Sequence, residues 1–339
     1  MALLLVLLLW PPGDAPLRAP LALRWQAPLH QTTDLAPAAD RDGVYVPVAG
    51  GTLVALAARD GQLRWRAELG GEISAAPVAD GRAVYVASGS ARGGHILRAL
   101  GAATGVALWQ TALDSPARYL VAGPDLLYIV TAEGALTTIA PNSGQPRWRA
   151  DVRASAPPLL ASGLLYVGTA EGDILALDRA GRVAARWRAA SPPQRLAVDA
   201  KGTLYCATAD GRLLAFSPDA AAPRWAARAG AAVLALAATD SGCVAASLDN
   251  FVRAYASDGK RLWKKQLAGR VVATPLVDRD AALFTPLAGD LAVVLDLATG
   301  RALAFLPVPA PTAAPPLRAA DLVLFTTRSG LLAFGPVRP

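Results

Sequence analysis

From residue 21 onward the chain alternates short apolar runs with clusters of Gly, Pro, Asp and Ser, a pattern that predicts strands and tight turns instead of long helices. Residues 176–187 (Ala-Leu-Asp-Arg-Ala-Gly-Arg-Val-Ala-Ala-Arg-Trp) read as a strand, a turn and a second strand that ends in tryptophan. Versions of this stretch recur along the chain. Trp25, Trp65, Trp109, Trp148, Trp187, Trp225 and Trp263 follow one another at intervals of 40, 44, 39, 39, 38 and 38 residues. A period of that size marks a propeller or a solenoid.

Other columns keep the same register. Gly61, Gly105, Gly144 and Gly259 each precede a tryptophan by four residues, where a tight hairpin needs a backbone that tolerates positive φ. A second column holds Tyr45, Tyr85, Tyr128, Tyr166, Tyr205, Val244 and Phe284. Pro37, Pro77, Pro158 and Pro316 stand eight residues before Tyr45, Tyr85, Tyr166 and Leu324 and mark entry into another strand. Each unit therefore predicts strand A after the proline, strand B with the aromatic, strand C ending in Ala-Leu, and strand D carrying the tryptophan.

Eight C strands can be counted, the first at residues 54–56 and the last at 331–334, but only seven D strands lie inside complete repeats. Residues 21–27 have the D pattern with no A, B or C strand before them, so they should complete the last unit. The expected fold class is all-β: an eight-bladed β-propeller of four-stranded antiparallel blades, closed by the N-terminal strand. The expected organisation is a signal-like or anchor segment over residues 1–20 and a single propeller over 21–339. Such closure removes a free sheet edge and ties the chain ends together.

Two local departures stand out. A four-residue insertion within residues 88–95 accounts for the 44-residue interval and predicts an extended loop on one rim, where binding is expected. The position four residues after Gly300 is Ala304, which predicts a locally weaker junction at blade seven, where Ala304→Trp should be neutral or stabilising if room exists. The seven repeated tryptophans, Trp25 to Trp263, are read as blade-docking residues. A ligand platform needs one aromatic site, whereas these are spread around the ring.

Hydrophobic residues make up 53% of the chain and charged residues 17%, which excludes a disordered polypeptide. The net charge of +7 raises a nucleic-acid reading, but only four of the 33 basic residues are lysine. Arg24, Arg64, Arg66, Arg147, Arg149, Arg186, Arg188 and Arg224 flank the tryptophans, so the charge is spread along perimeter strands, and no nucleic-acid partner is expected. Cys206 and Cys243 share strand parity and should face the same way around the ring, which disfavours a disulfide between them. The apolar run of residues 1–10 has the length of a signal-peptide core and lacks a positive n-region. Membrane association is expected only through that segment or through a partner.

With a proline entry, a Tyr-Val strand, Gly-x-Leu-x-Ala-Leu-Asp, a Thr-Gly turn and tryptophan all in place, the chain resembles the PQQ-like β-propeller repeat family over about residues 21–337. The best copies are residues 164–178 and 294–300. The resemblance implies one of two branches: quinoprotein dehydrogenases that bind pyrroloquinoline quinone and calcium, or non-enzymatic scaffolds that include the outer-membrane assembly protein BamB. The dehydrogenases have adjacent cysteines at the cofactor, whereas Cys206 and Cys243 are 37 residues apart. Acidic residues such as Asp60, Asp178, Asp219 and Asp258 occupy repeat turns and form no oxygen-ligand cluster for calcium. His30 and His95 sit in no zinc or nucleophile motif.

The expectation is therefore a non-catalytic, extracytoplasmic scaffold, periplasmic or secreted, that binds a protein partner through rim loops as a monomeric propeller. BamB-like envelope or outer-membrane protein assembly is the implied role. No catalytic, cofactor-binding or metal residue is assigned, and no cofactor is expected. A small PQQ-dependent quinoprotein dehydrogenase using the central channel, and a small-molecule-binding sensor module, are the competing readings.

Overall fold

The computed structural model describes residues 17–337, and among them every regular element is a strand. The strands form eight four-stranded antiparallel sheets, each in simple A-B-C-D order, arranged as an eight-bladed β-propeller. Blades 1 to 7 cover residues 38–68, 78–113, 117–151, 159–188, 193–228, 233–266 and 276–307. Blade 8 takes three strands from residues 317–336 and its outer strand, Leu21–Pro28, from the other end of the chain. That strand runs antiparallel to Gly330–Pro336, with Trp25 opposite Ala333 and Pro28 opposite Gly330. The fold and its closure are those expected from the repeats.

The proline column sets the length of the innermost strands. Where Pro37, Pro77, Pro158, Pro275 or Pro316 stands directly before it, strand A has only two or three residues. A proline has no N–H to give to the ladder. Blades 3, 5 and 6 carry Leu120, Ala197 and Leu236 at that column position, and their A strands, Ala117–Ala122, Pro193–Val198 and Val233–Thr239, run through it for six, six and seven residues.

The core is divided among the blade junctions. Eight clusters of buried apolar side chains can be traced, and each is built from the facing sides of two adjacent blades. Every blade is buried on both faces, which is why strands B and C read as nearly continuous apolar runs. The arginines flanking the tryptophans, Arg24 to Arg224, all lie exposed on the perimeter strands.

Three details differ from the sequence reading. Ladder pairing sets Leu283, not Phe284, in the aromatic column, because Leu283 faces Val294 while Phe284 faces Val293 and packs toward blade 6. One residue of register moves a side chain to the opposite face of the strand. The insertion of blade 2 lengthens a hairpin more than it makes a loop: Ala83–Gly89 and His95–Gly101 stay paired as far as Gly89 opposite His95. Only residues 90–94 remain as the tip, closed by a hydrogen bond from Ser90 N to Gly94 O of 3.1 Å.

The third concerns the chain's start. The apolar run at residues 1–10 lies outside the described residues, but Leu17 is fully buried in the cluster between blades 7 and 8, together with Leu306, Val323 and Phe334. Its N–H donates to Asp278 Oδ2 at 3.0 Å, and Arg18 pairs with Asp280 and Asp296. The chain thus engages the ring before Leu21, and Leu17 belongs to the cluster against which Ala304 packs.

Candidate functional site

The repeated tryptophans sit on the outer strands and reach across the junctions. Each indole N–H donates to a backbone carbonyl in the next blade: Trp25 to Ala58 (3.1 Å), Trp65 to Ala102 (2.9 Å), Trp109 to Pro141 (2.8 Å) and Trp148 to Arg179 (2.8 Å). Trp187, Trp225 and Trp263 do the same to Ser217, Ser257 and Leu297 at 3.0, 3.0 and 2.7 Å. Within its own blade each of five tryptophans also packs on the B-strand tyrosine, as Tyr45 on Trp65 with ring centroids 5.7 Å apart.

Sequence reading missed what lies beneath the rings. Six of the seven indoles cover the glycine of the next blade's C–D turn: Gly61, Gly105, Gly144, Gly181, Gly259 and Gly300. The exception, Trp187, pairs opposite Ile174, while Ala185 occupies the position opposite Ala176 that tryptophan holds elsewhere. The next turn along, residues 217–223, has no glycine to receive a ring. The six-residue gap from Gly181 to Trp187, against four in other repeats, was the sequence signal for this displacement.

Ala304 has a matching cause. Blade 8 is made from both chain ends, so it has no C–D turn to carry a glycine. The Pro336 carbonyl, which occupies the acceptor column, is already bonded by the Arg24 guanidinium.

The remaining candidates are scattered. His30 is exposed, and His95 is half-buried at the base of the blade 2 hairpin. Asp60, Asp178 and Asp258 accept backbone N–H groups of Gln62, Ala180 and Lys260 within their own turns. For Asp178 the N–H of Arg182 is the main cause that holds its carboxyl below the usual range. Cys206 lies in the junction of blades 4 and 5 and Cys243 in that of blades 5 and 6. Burial pushes both thiols up. Among the described residues no three His, Cys, Asp or Glu side chains come together as metal donors.

The inner strands bring a positive feature to the channel. Arg118 lies over the Tyr119 ring at 5.1 Å, and Arg195 donates to the Gln194 carbonyl at 2.8 Å. Burial lowers the Arg195 guanidinium first, and the charge of Arg118 adds to that lowering. A cavity of about 570 Å³ opens between blades 2 and 3.

Comparison with known proteins adds a family model described as "Outer membrane protein assembly factor BamB", which matches residues 22–124, 92–194 and 184–338. The crystal structure of BamB from Moraxella catarrhalis superposes with a TM-score of 0.77 at 20% identity, covering 94% of this chain and 98% of that one. The computationally designed Ika8 protein gives 0.77 at 16% identity over 93% and 99% of the two chains. Sqt1 of Saccharomyces cerevisiae gives 0.76 at 11% identity over 97% and 100%. No curated protein matches. These structural likenesses are likenesses of fold.

Proposed function

The chain belongs to the family of the outer membrane protein assembly factor BamB, and from that premise we propose that it is a non-catalytic scaffold that works outside the cytoplasm in envelope protein assembly. The observation that carries this reading is the extent of the family match, which runs across all eight blades. A closed ring of rigid blades holds its connecting loops at fixed positions, and such a scaffold suits recognition of one folded partner. The partner is a protein, bound through rim loops, with the extended hairpin whose tip is residues 90–94 as the leading candidate. The reading requires no cofactor.

The test is photocrosslinking from positions 90–94 in envelope preparations, combined with fractionation and determination of the mature N-terminus. One reproducible protein adduct in the extracytoplasmic fraction is expected. Turnover by protein reconstituted with pyrroloquinoline quinone and calcium, or recovery from the cytoplasm alone, would overturn the proposal.

A further inference from the structure

The cavity between blades 2 and 3 is a consequence of small residues in one C strand. Thr137 is the smallest side chain in its column, where other blades carry Val54, Leu175 or Arg253, and Ala135 stands where blades 2 and 6 carry Ile96 and Phe251. The resulting cleft of about 570 Å³ runs along the strands, with Ile129 and Ile139 of blade 3 among its apolar lining and Leu113 of blade 2 on the other side. That volume falls within the range of small-molecule sites.

Two polar features set the cleft apart from a packing defect. Thr131 lines it at 8% exposure, and its hydroxyl stands near enough to Glu133 to help hold that carboxyl below the usual range. Buried hydroxyls are normally satisfied, and this one together with the Glu133 carboxylate makes one polar end of an otherwise apolar cleft. At the mouth, Glu133 bonds the Ser115 hydroxyl and makes no ion pair among the described residues. The Ser115 hydroxyl is the main cause that keeps its carboxyl below the usual range, so it is charged at neutral pH. The other charges of the lining leave that carboxylate uncompensated. Asp114 is bound to Arg149 at 3.0 Å, and Arg147 stands toward the opposite end beside Pro146. His95 of blade 2 contributes only a weak field.

We infer that this cleft binds an elongated aliphatic cation, its chain lying between Ile129, Ile139 and Leu113 and its ammonium donating to Glu133 and to Thr131 Oγ1. An ammonium has three donors and no acceptor, which matches one carboxylate and one hydroxyl oxygen with lone pairs still free to accept. The inference is independent of the scaffold reading.

Octylammonium, 1-octanol and octanoate, titrated calorimetrically into the full chain, test it. Octylammonium binds saturably at one site, at least about tenfold tighter than 1-octanol, a difference of about 1.4 kcal/mol, and octanoate does not bind. Glu133→Gln, an exposed position, brings octylammonium down to the level of 1-octanol. Thr137→Leu fills the cleft and abolishes binding while the melting temperature is retained, and Ala135→Val is the second filling variant should the first not fold. Equal binding of octanoate, indifference to Glu133→Gln, retained binding in a folded filled variant, or no saturable binding of octylammonium overturns the inference.

Discussion

Trp65 rests on Gly105 of the following blade so closely that a Cβ built on that glycine would lie 2.7 Å from the indole ring. The glycine is thus required twice, once by its backbone at φ +71° and once by the ring above it. The same pairing recurs at six junctions, and the two junctions without it are the ones where the receiving turn lacks a glycine or does not exist. Tryptophan and glycine columns from neighbouring repeats therefore form one docking device.

Gly105→Ala is expected to lower stability by about 1–3 kcal/mol through overpacking and strain at positive φ. Trp65→Ala should cost about 3–5 kcal/mol as a large-to-small change. Because the clash needs the ring, the double variant should lose less than the two losses added together. Urea unfolding of the four proteins measures this coupling, and strict additivity would remove the shared contact from the account.

Leu17→Ala is expected to cost about 2–5 kcal/mol, since it empties a fully buried position at the junction that has no tryptophan. Ala304→Trp, which sequence alone suggests could fill a gap, is expected to destabilise by about 1–3 kcal/mol. Leu17 shares that cluster, and Arg24 already holds the Pro336 carbonyl. Thermal melting of both variants decides the matter. A more stable Ala304→Trp protein would show that Leu17 leaves room there.

Repeats made the architecture legible because blade-to-blade packing imposes one requirement at each position of every unit. The tryptophan spacing gave the period, and the isolated D pattern of residues 21–27 gave the closure. Contacts between columns were harder to read, since Trp65 and Gly105 belong to different repeats and each has a sufficient local explanation. The cleft is subtler still: Thr137 and Ala135 look like ordinary strand residues until their column partners are known to be larger. Burial of Leu17 was hidden by its position beside an apolar N-terminal run, where composition alone suggests a targeting segment.

The two cysteines should be unreactive in the native protein. Cys206 and Cys243 are at most 1% exposed, face the same rotational direction, and occupy separate junctions. Burial raises both thiols, so little thiolate forms at neutral pH. Titration with a thiol-reactive chromophore should therefore give no fast phase in buffer and two equivalents in guanidinium. Rapid labelling in buffer at a rate far above that of unfolding would show that these junctions open locally.

Blade 6 carries the clearest acid-sensitive contact. The Arg253 side chain is 5% exposed and meets Asp249, 28% exposed, with one N–O distance of 3.1 Å. Burial alone would raise the Asp249 carboxyl, but hydrogen bonds from Arg253, Ser247 and the Phe251 N–H outweigh it and push the group down to about 2. An unfolded aspartate titrates near about 3.9. Because the folded value is the lower one, the pair contributes its full stabilisation above about pH 4 and loses it as the pH falls toward about 2, with a magnitude up to about 2 kcal/mol. Asp249→Asn leaves the buried guanidinium without its carboxylate, so it should be clearly less stable than the parent protein at pH 7. Since the parent protein loses the same charge in acid, the gap between the two should narrow steadily between pH 4 and pH 2.5 in urea unfolding. A gap that stays constant over that interval would show that the carboxylate's charge is not what Asp249 contributes.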